Sequence, residues 1–267
     1  MTRTGKTLLV TLTLATAAAL ILPRYWVPAR LARLWLTGRA GVCPLSQTLR
    51  SGDHGLTTTA IKDRLIRESS LVEKDAAGFH LWQTPKGRYW MPAGSDYALH
   101  WDLAEQERKI YGEGGFGVRK GDVVLDCGAN VGVYTRVALA DGARLVVAIE
   151  LAPENLECLR RNFADEIRAG RVIVYPKGVW DKDDFLTLSV SPDNSAADSV
   201  VMRPKNAREG PRVPLTTIDK LAAELKLDRV DFIKMDIEGA ERNALVGARA
   251  TLEKDHPRLA LSAYHMP

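Results

Sequence analysis

The sequence predicts an α/β fold, a mostly parallel sheet with helices on both faces. Three observations carry that reading. Short apolar runs alternate with helical stretches from residue 121 onward, a glycine-rich turn follows the first run, and acidic residues stand where several of the runs end. With 267 residues, 46% hydrophobic and 26% charged, the chain can bury one substantial core beside an N-terminal appendage. Neither a disordered nor a collagen-like composition fits.

The appendage comes first. Residues 1–50 carry Arg3, Lys6, Arg24, Arg30, Arg33, Arg39 and Arg50 and no acidic residue, so the net charge of +4 arises there and the remainder holds 30 basic against 33 acidic groups. That balance argues against a nucleic-acid partner for the main domain. Residues 7–23 are uncharged, close to the lower limit of about 17 residues for a spanning helix. Tyr25, Trp26, Leu31, Leu34 and Trp35 then stand beside arginines, as in a helix lying in a membrane interface. Residues 1–36 are therefore expected to be a membrane anchor, touching lipid through residues 7–36. The arginine excess after the apolar run puts the catalytic part on the cytoplasmic side. Cleavage of a signal peptide near Val27-Pro28-Ala29, followed by export, is the competing reading.

Residues 37–76 read as a polar connector with a helix around 61–71, and 77–267 as the main domain. Residues 79–84 and 88–91 are β-prone about Pro85-Lys86-Gly87, which predicts a hairpin. Asp102 with Glu105 resembles the cap of a helix running to Tyr111, so hairpin and helix occupy 77–120. Strands are expected at 123–126, 145–150, 172–175, 230–235 and 258–262. Helices start near Val131 and at Pro153, the second placing Leu156, Leu159 and Phe163 on one face. Residues 181–214 interrupt the alternation: Leu186, Leu188 and Val190 are spaced by two and turn residues follow, an inserted hairpin on the strand-end side. Cys43, Cys127 and Cys158 are odd in number and lack C-x-x-C spacing, which supports neither a disulfide framework nor a zinc site. Cys127 and Cys158 are expected as small buried packing residues.

The chemistry concentrates in Asp126-Cys-Gly128-Ala-Asn130-Val-Gly132, a turn from a buried strand into a helix, with Glu150 closing the next strand. Both features belong to a nucleoside pocket: the glycines let the backbone approach a ligand, and the carboxylate can accept ribose hydroxyls. A dinucleotide fingerprint needs glycines where Asn130 and Val133 stand, and a diphosphate would face the Asp126 carboxylate. S-adenosyl-L-methionine, with its sulfonium and ammonium, suits Asp126, Glu150, Asp236 and Glu238, all at expected strand ends.

The stretches VVLDCGANVGVYT, AIELAPENLECLRRN and DFIKMDIEGAE, in that order, resemble the successive motifs of the FkbM-type methyltransferase family over about residues 121–265. The resemblance implies a Rossmann-like class I methyltransferase sheet and O-methylation of a hydroxyl on a sugar, glycolipid or secondary metabolite. With an anchor present, a lipid-linked saccharide is an attractive acceptor. It also implies that Asp126, Gly128, Asn130 and Gly132 hold the methionine part, Glu150 the ribose, and Gly178, Val179 and Trp180 the adenine. Asp236, Glu238 and Gly239 would face the methyl group and acceptor. Asp236, with His265 second, is the candidate general base for the hydroxyl proton. Plainer readings stand beside these: Asp126 can cap the helix after Asn130, Asp236 with Glu238 can cap the helix from Ala240, and Trp180 can be core. The family's last two strands find no counterpart before residue 267, so the expectation is either a C-terminally truncated product or a sheet that stops early. An NAD(P)-dependent oxidoreductase and a tethered, non-catalytic module are the alternative functions.

Overall fold

The computed structural model describes residues 26–39, 43–112, 115–191, 194–203 and 206–262. The chain divides into two compact units, Met1–Ile61 and Lys62–Pro267.

Helix α1 (Val27–Leu36) opens the described part, with Pro28 in its first turn. At ten residues it is about 15 Å long, half the hydrocarbon thickness of a bilayer, and it carries Arg30 and Arg33. Among the described residues no helix is long and apolar enough to cross a membrane. The membrane-anchored, cytoplasm-facing placement expected from the sequence is corrected on that finding; residues 7–23, on which it leaned, lie outside the described residues. Helix α2 (Leu45–Glu68) fills most of the expected connector, starting well before residue 61. In its polar stretch Ser51 and Thr59 turn their hydroxyls back onto the carbonyls of Thr48 and Gly55, at 2.7 and 3.0 Å.

The second unit opens with a small antiparallel sheet, β1 (Ser70–Lys74), β2 (Phe79–Thr84) and β3 (Gly87–Pro92). The β2–β3 hairpin is the expected one; β1 was not expected. Helix α3 (Asp96–Glu107) begins six positions before Asp102, so Asp102 and Glu105 lie inside it rather than at its cap. The carboxylate at its start is Asp96, which accepts from Trp82 Nε1 at 2.6 Å and pairs with His80 Nδ1 at 3.0 Å.

The alternation that follows is β4 (Val123–Cys127), α4 (Val133–Ala140), β5 (Leu145–Ile149), α5 (Pro153–Asn162), α6 (Ala164–Arg168) and β6 (Val172–Tyr175). Next come β7 (Gly178–Val179), β8 (Asp184–Val190) and β9 (Arg208–Thr216), a separate sheet in which β8 and β9 are the antiparallel insert expected from the sequence. Helix α7 (Ile218–Glu224), β10 (Phe232–Met235), α8 (Glu241–Val246), α9 (Arg249–Asp255) and β11 (Arg258–Leu261) complete the order.

Five strands form one fully parallel sheet in the order β11-β10-β4-β5-β6. Successive residues feed opposite faces. Leu125, Val147 and Ile233 pack with α7 and α8 residues such as Leu221 and Ala244, while Val124, Val146 and Phe232 meet Tyr134 and Ala138 of α4. Cys127 and Cys158 are both fully buried, as expected of packing residues. Among the described residues no sixth strand joins this sheet. The chain runs from β4 outward to β6, then returns to the other side of β4 as β10. The C-terminal ends of β4 and β10 therefore flank a topological switch point, where open α/β sheets leave a crevice.

Candidate functional site

The turn after β4 sits in that crevice, and backbone geometry explains its glycines. Gly128 has φ +75°, and a Cβ there would lie 1.9 Å from the Asp236 carbonyl oxygen. Gly132 has φ +92°, and its Cβ would strike the Phe163 ring at 2.1 Å. Both positions exclude any side chain. Asn130 and Glu238 adopt the left-handed conformation as well, with φ +51° and +53°. Strain of about 1–3 kcal/mol at each is the kind that collects at binding sites.

Glu150 points at the turn. One carboxylate oxygen accepts from Asn130 N at 2.8 Å, the other from Leu151 N and Ala152 N at 2.7 and 2.8 Å. Burial raises its carboxyl above the usual range despite these three donors. Asp126 behaves differently. It is fully buried beneath the turn, accepts from Thr135 Oγ1 at 2.6 Å, and is paired with Lys234 Nζ at 3.1 Å. Burial pulls the Lys234 ammonium down, but Asp126 and Asp236 outweigh it and keep the charge. Lys234 also donates to Gly128 O at 2.8 Å. The pair braces the turn from below and offers no free charge to a ligand.

Two clefts meet above the turn. The first, about 580 Å³, is lined by Gly128, Asn130, Glu150, Val179, Asp236 and Glu238 of the expected set, together with Leu151, Asn155, Ser195 and Asp198. The second, about 450 Å³, runs toward α3 and is lined by Asp102, Glu105, Tyr111, Tyr134 and Lys234. They share Gly128, Asn130, Ala196 and Asp236.

The electrostatics are one-sided. Asp102 is pushed up to about 8, by burial first and then by Glu105 and Asp236. Glu105 is raised mainly by burial. Asp198 is pushed up to about 7 by burial, with Glu154 and Glu150 adding to it, and Glu238 to about 7 by burial with Asp236 and Glu241 adding. The lysines that line the clefts are already engaged: Lys234 with Asp126, and Lys177 with Glu224 at 3.0 Å. Six carboxylates thus line the two clefts, where the lysines among the described lining residues are already paired, an arrangement that a positive ligand relieves.

Tyr111 donates to Asp236 Oδ2 at 2.9 Å and lies 3.1 Å from Ser262 Oγ, which fixes the carboxylate at the junction of the clefts. The carboxylate serving the turn before α8 is Glu241, which accepts from Ile237 N at 3.0 Å. Across the cleft, Ser199 of the insert donates to Glu238 O at 2.9 Å and so ties the insert to this loop.

Of the residues singled out from sequence, Gly128, Asn130, Glu150, Gly178, Val179, Asp236 and Glu238 line the first cleft. Asp126 and Gly132 support the turn from outside it. Trp180 is half-buried with its backbone N–H on Thr216 O, and the cleft wall here is made by Gly178 and Val179 instead. His265 lies outside the described residues. Asp102, Glu105, Tyr111, Asn155, Ser195, Asp198 and Lys234 were not anticipated as site residues. The one available signal was a run of acids on α3, which also resembles a helix cap.

The Methyltransferase FkbM domain matches residues 126–267. A 31-O-demethyl-FK506 methyltransferase, FkbM, of Streptomyces tacrolimicus is 25% identical over 178 residues, covering 57% of this chain and 67% of the relative. The crystal structure of methyltransferase FkbM from Methylobacillus flagellatus is similar over 64% of this chain and 42% of that one, with 25% identity and a TM-score of 0.44. Trm5b from Pyrococcus abyssi matches 69% of this chain and 37% of its own, at 14% identity and a TM-score of 0.31. The chain thus spans less than half the length of either of these two structures.

Proposed function

Because the chain belongs to the Methyltransferase FkbM domain family, we propose that it is an S-adenosyl-L-methionine-dependent methyltransferase acting on a hydroxyl oxygen. The observation that carries this reading is the crowd of carboxylates around the Gly128 turn, raised by burial and by one another. The unpartnered, buried Asn130 Oδ1 fits the same ligand, since it can accept from an ammonium. When bound, the donor supplies a methyl group on a sulfonium, activated for in-line displacement.

The chain's own residues supply position and a proton acceptor. Glu150, held by three backbone N–H groups, keeps a lone pair on Oε2 for a ribose hydroxyl. Asp102, half-buried and accepting from Asn130 Nδ2 at 3.2 Å, is placed with Glu105 to receive the ammonium of the methionine part. Asp236 stands where the clefts join, its orientation set by Tyr111, and takes the proton from the acceptor hydroxyl. Glu238 and Ser199 border the same space from two different elements. The oxygen acceptor is supported by the Streptomyces relative, which its name describes as acting on 31-O-demethyl-FK506. Sugar and secondary-metabolite hydroxyls are the acceptor classes we favour.

The test is transfer of labelled methyl from the donor to pools of hydroxylated small molecules. Label held in an alkali-stable ether is expected, falling about 10²–10⁴-fold in Asp236→Asn with donor affinity retained. Alkali-labile label, or full activity in Asp236→Asn, would contradict the assignment.

A further inference from the structure

Lys234 is only 5% exposed, on a strand whose other members are Phe232, Ile233 and Met235. Residues two apart along a strand share a side, so Phe232, Lys234 and Asp236 face the same way. That side meets two tyrosines: Phe232 packs with Tyr111 and Tyr134, and the Lys234 ammonium lies 5.6 and 6.0 Å from their ring centroids. An uncharged donor of similar length could brace Gly128 O without taking a charge out of water. The brace alone therefore does not account for a lysine.

The ammonium stands between the glycine turn and the base. On one side it lies 3.1 Å from Asp126 Oδ1 and donates to Gly128 O at 2.8 Å and Cys127 O at 3.4 Å. On the other it rests against the ring of Tyr111, whose hydroxyl donates to Asp236 Oδ2 at 2.9 Å. The ionisable groups around Asp236 are otherwise mostly acidic. Asp102 and Glu105 face it from α3, Tyr111 follows that helix, and Glu238, with Glu241 behind it, comes from the loop before α8. Asp126 and Cys127 lie beneath, on β4, and half-buried Arg108 acts on Glu105. Lys234 is the cation that acts on Asp236 from within the sheet, and it lines the second cleft beside it.

We propose that Lys234 is a positioning residue for the reaction: clamped between the Asp126–Gly128 turn and the Tyr111 ring, it supplies the positive charge against which Asp236 works as a base. This rests on the reading of Asp236 as proton acceptor given above. As the acceptor oxygen bonds the methyl carbon and the carbon–sulfur bond breaks, the hydroxyl proton passes to Asp236, while Lys234 keeps its own protons throughout. A fixed positive charge favours the carboxylate over the carboxylic acid, so removing it should raise the pH at which the base becomes active. Removing the partner of that charge should lower it.

Two substitutions in the full chain separate this role from a structural one. Lys234→Gln removes the charge but can still donate to Gly128 O, and Asp126→Asn leaves the charge without its partner. Transfer of labelled methyl to the hydroxylated pools is followed at saturating donor from about pH 5 to about pH 9, with S-adenosylhomocysteine affinity read by calorimetry. The acid limb of the rate profile is expected to move up by about one unit in Lys234→Gln and to move down in Asp126→Asn. A purely structural lysine would change rate or stability and leave the limb where it is. A limb that stays put in either folded variant, or moves the same way in both, would overturn the proposal. So would the failure of both variants to unfold cooperatively, since Lys234 would then serve the fold alone. Each of these results leaves the donor reading standing when S-adenosylhomocysteine binds the wild type; if it does not bind, the donor reading and the proposal fall together.

Discussion

Asp102 is held up at about 8 by burial, with Glu105 and Asp236 adding to it, so in the unliganded protein at pH 7 it is mostly protonated. A cation placed against it favours the ionised form, and donor binding then expels a proton. The sign follows: affinity rises with pH, by up to about tenfold per unit, and levels off above pH 8. Calorimetry at pH 7 in buffers of different ionisation heat should register proton release, reduced in Asp102→Asn; proton uptake would contradict the assignment. Glu150→Ala should weaken donor binding about 10–100-fold, read by the same titration. Glu150 and Gly128 were legible in the sequence because each lies in a run whose order along the chain is also its order in the site. Asp102 and Asp198 were not, since one reaches the turn from α3 and the other from the insert. The Asp126 charge was legible, but its neutraliser, Lys234, lies on a strand that only the sheet brings alongside, at the Lys234–Asp126 register. That pairing removes Asp126 from the set of charges a ligand meets.

At the scale of elements, the small antiparallel sheet is fastened to the glycine turn by one side chain. Asn162, the last residue of α5, accepts from Trp90 N at 2.7 Å and donates to Trp90 O and Val131 O at 3.1 and 2.9 Å. Asn162→Ala should therefore cost about 1–3 kcal/mol in a denaturant titration; an unchanged midpoint would show that the contact carries nothing. Gly128→Ala has no such margin, because the Asp236 carbonyl already fills the space, and loss of cooperative folding or of donor binding is the expected result. The five parallel strands could be read from the sequence because strands buried on both faces are continuous apolar runs. Helix α2 could not, since its Thr, Ser and Gly content hides the period that a packed helix usually shows. The start of α3 was misplaced for a related reason: acids inside a helix resemble a cap when the cleft they face is unseen.

At the scale of the molecule, every residue lining the two clefts lies between Asp102 and Ala240, within the unit Lys62–Pro267. A fragment beginning at residue 62 should keep donor affinity within about threefold, a difference of well under 1.4 kcal/mol. A larger loss would mean that the first unit contributes to binding. The basic excess of residues 1–50 and the acidic clefts are thus properties of different parts of one chain, and the net charge of +4 says little about what the site binds. The central claim is that the acidic cleft at the switch point binds a positively charged methyl donor. Equilibrium binding of labelled S-adenosyl-L-methionine to the full chain tests it most directly: saturable binding to one site, displaced by S-adenosylhomocysteine and untouched by NAD, is predicted, whereas no saturable binding, or displacement by NAD, would contradict it.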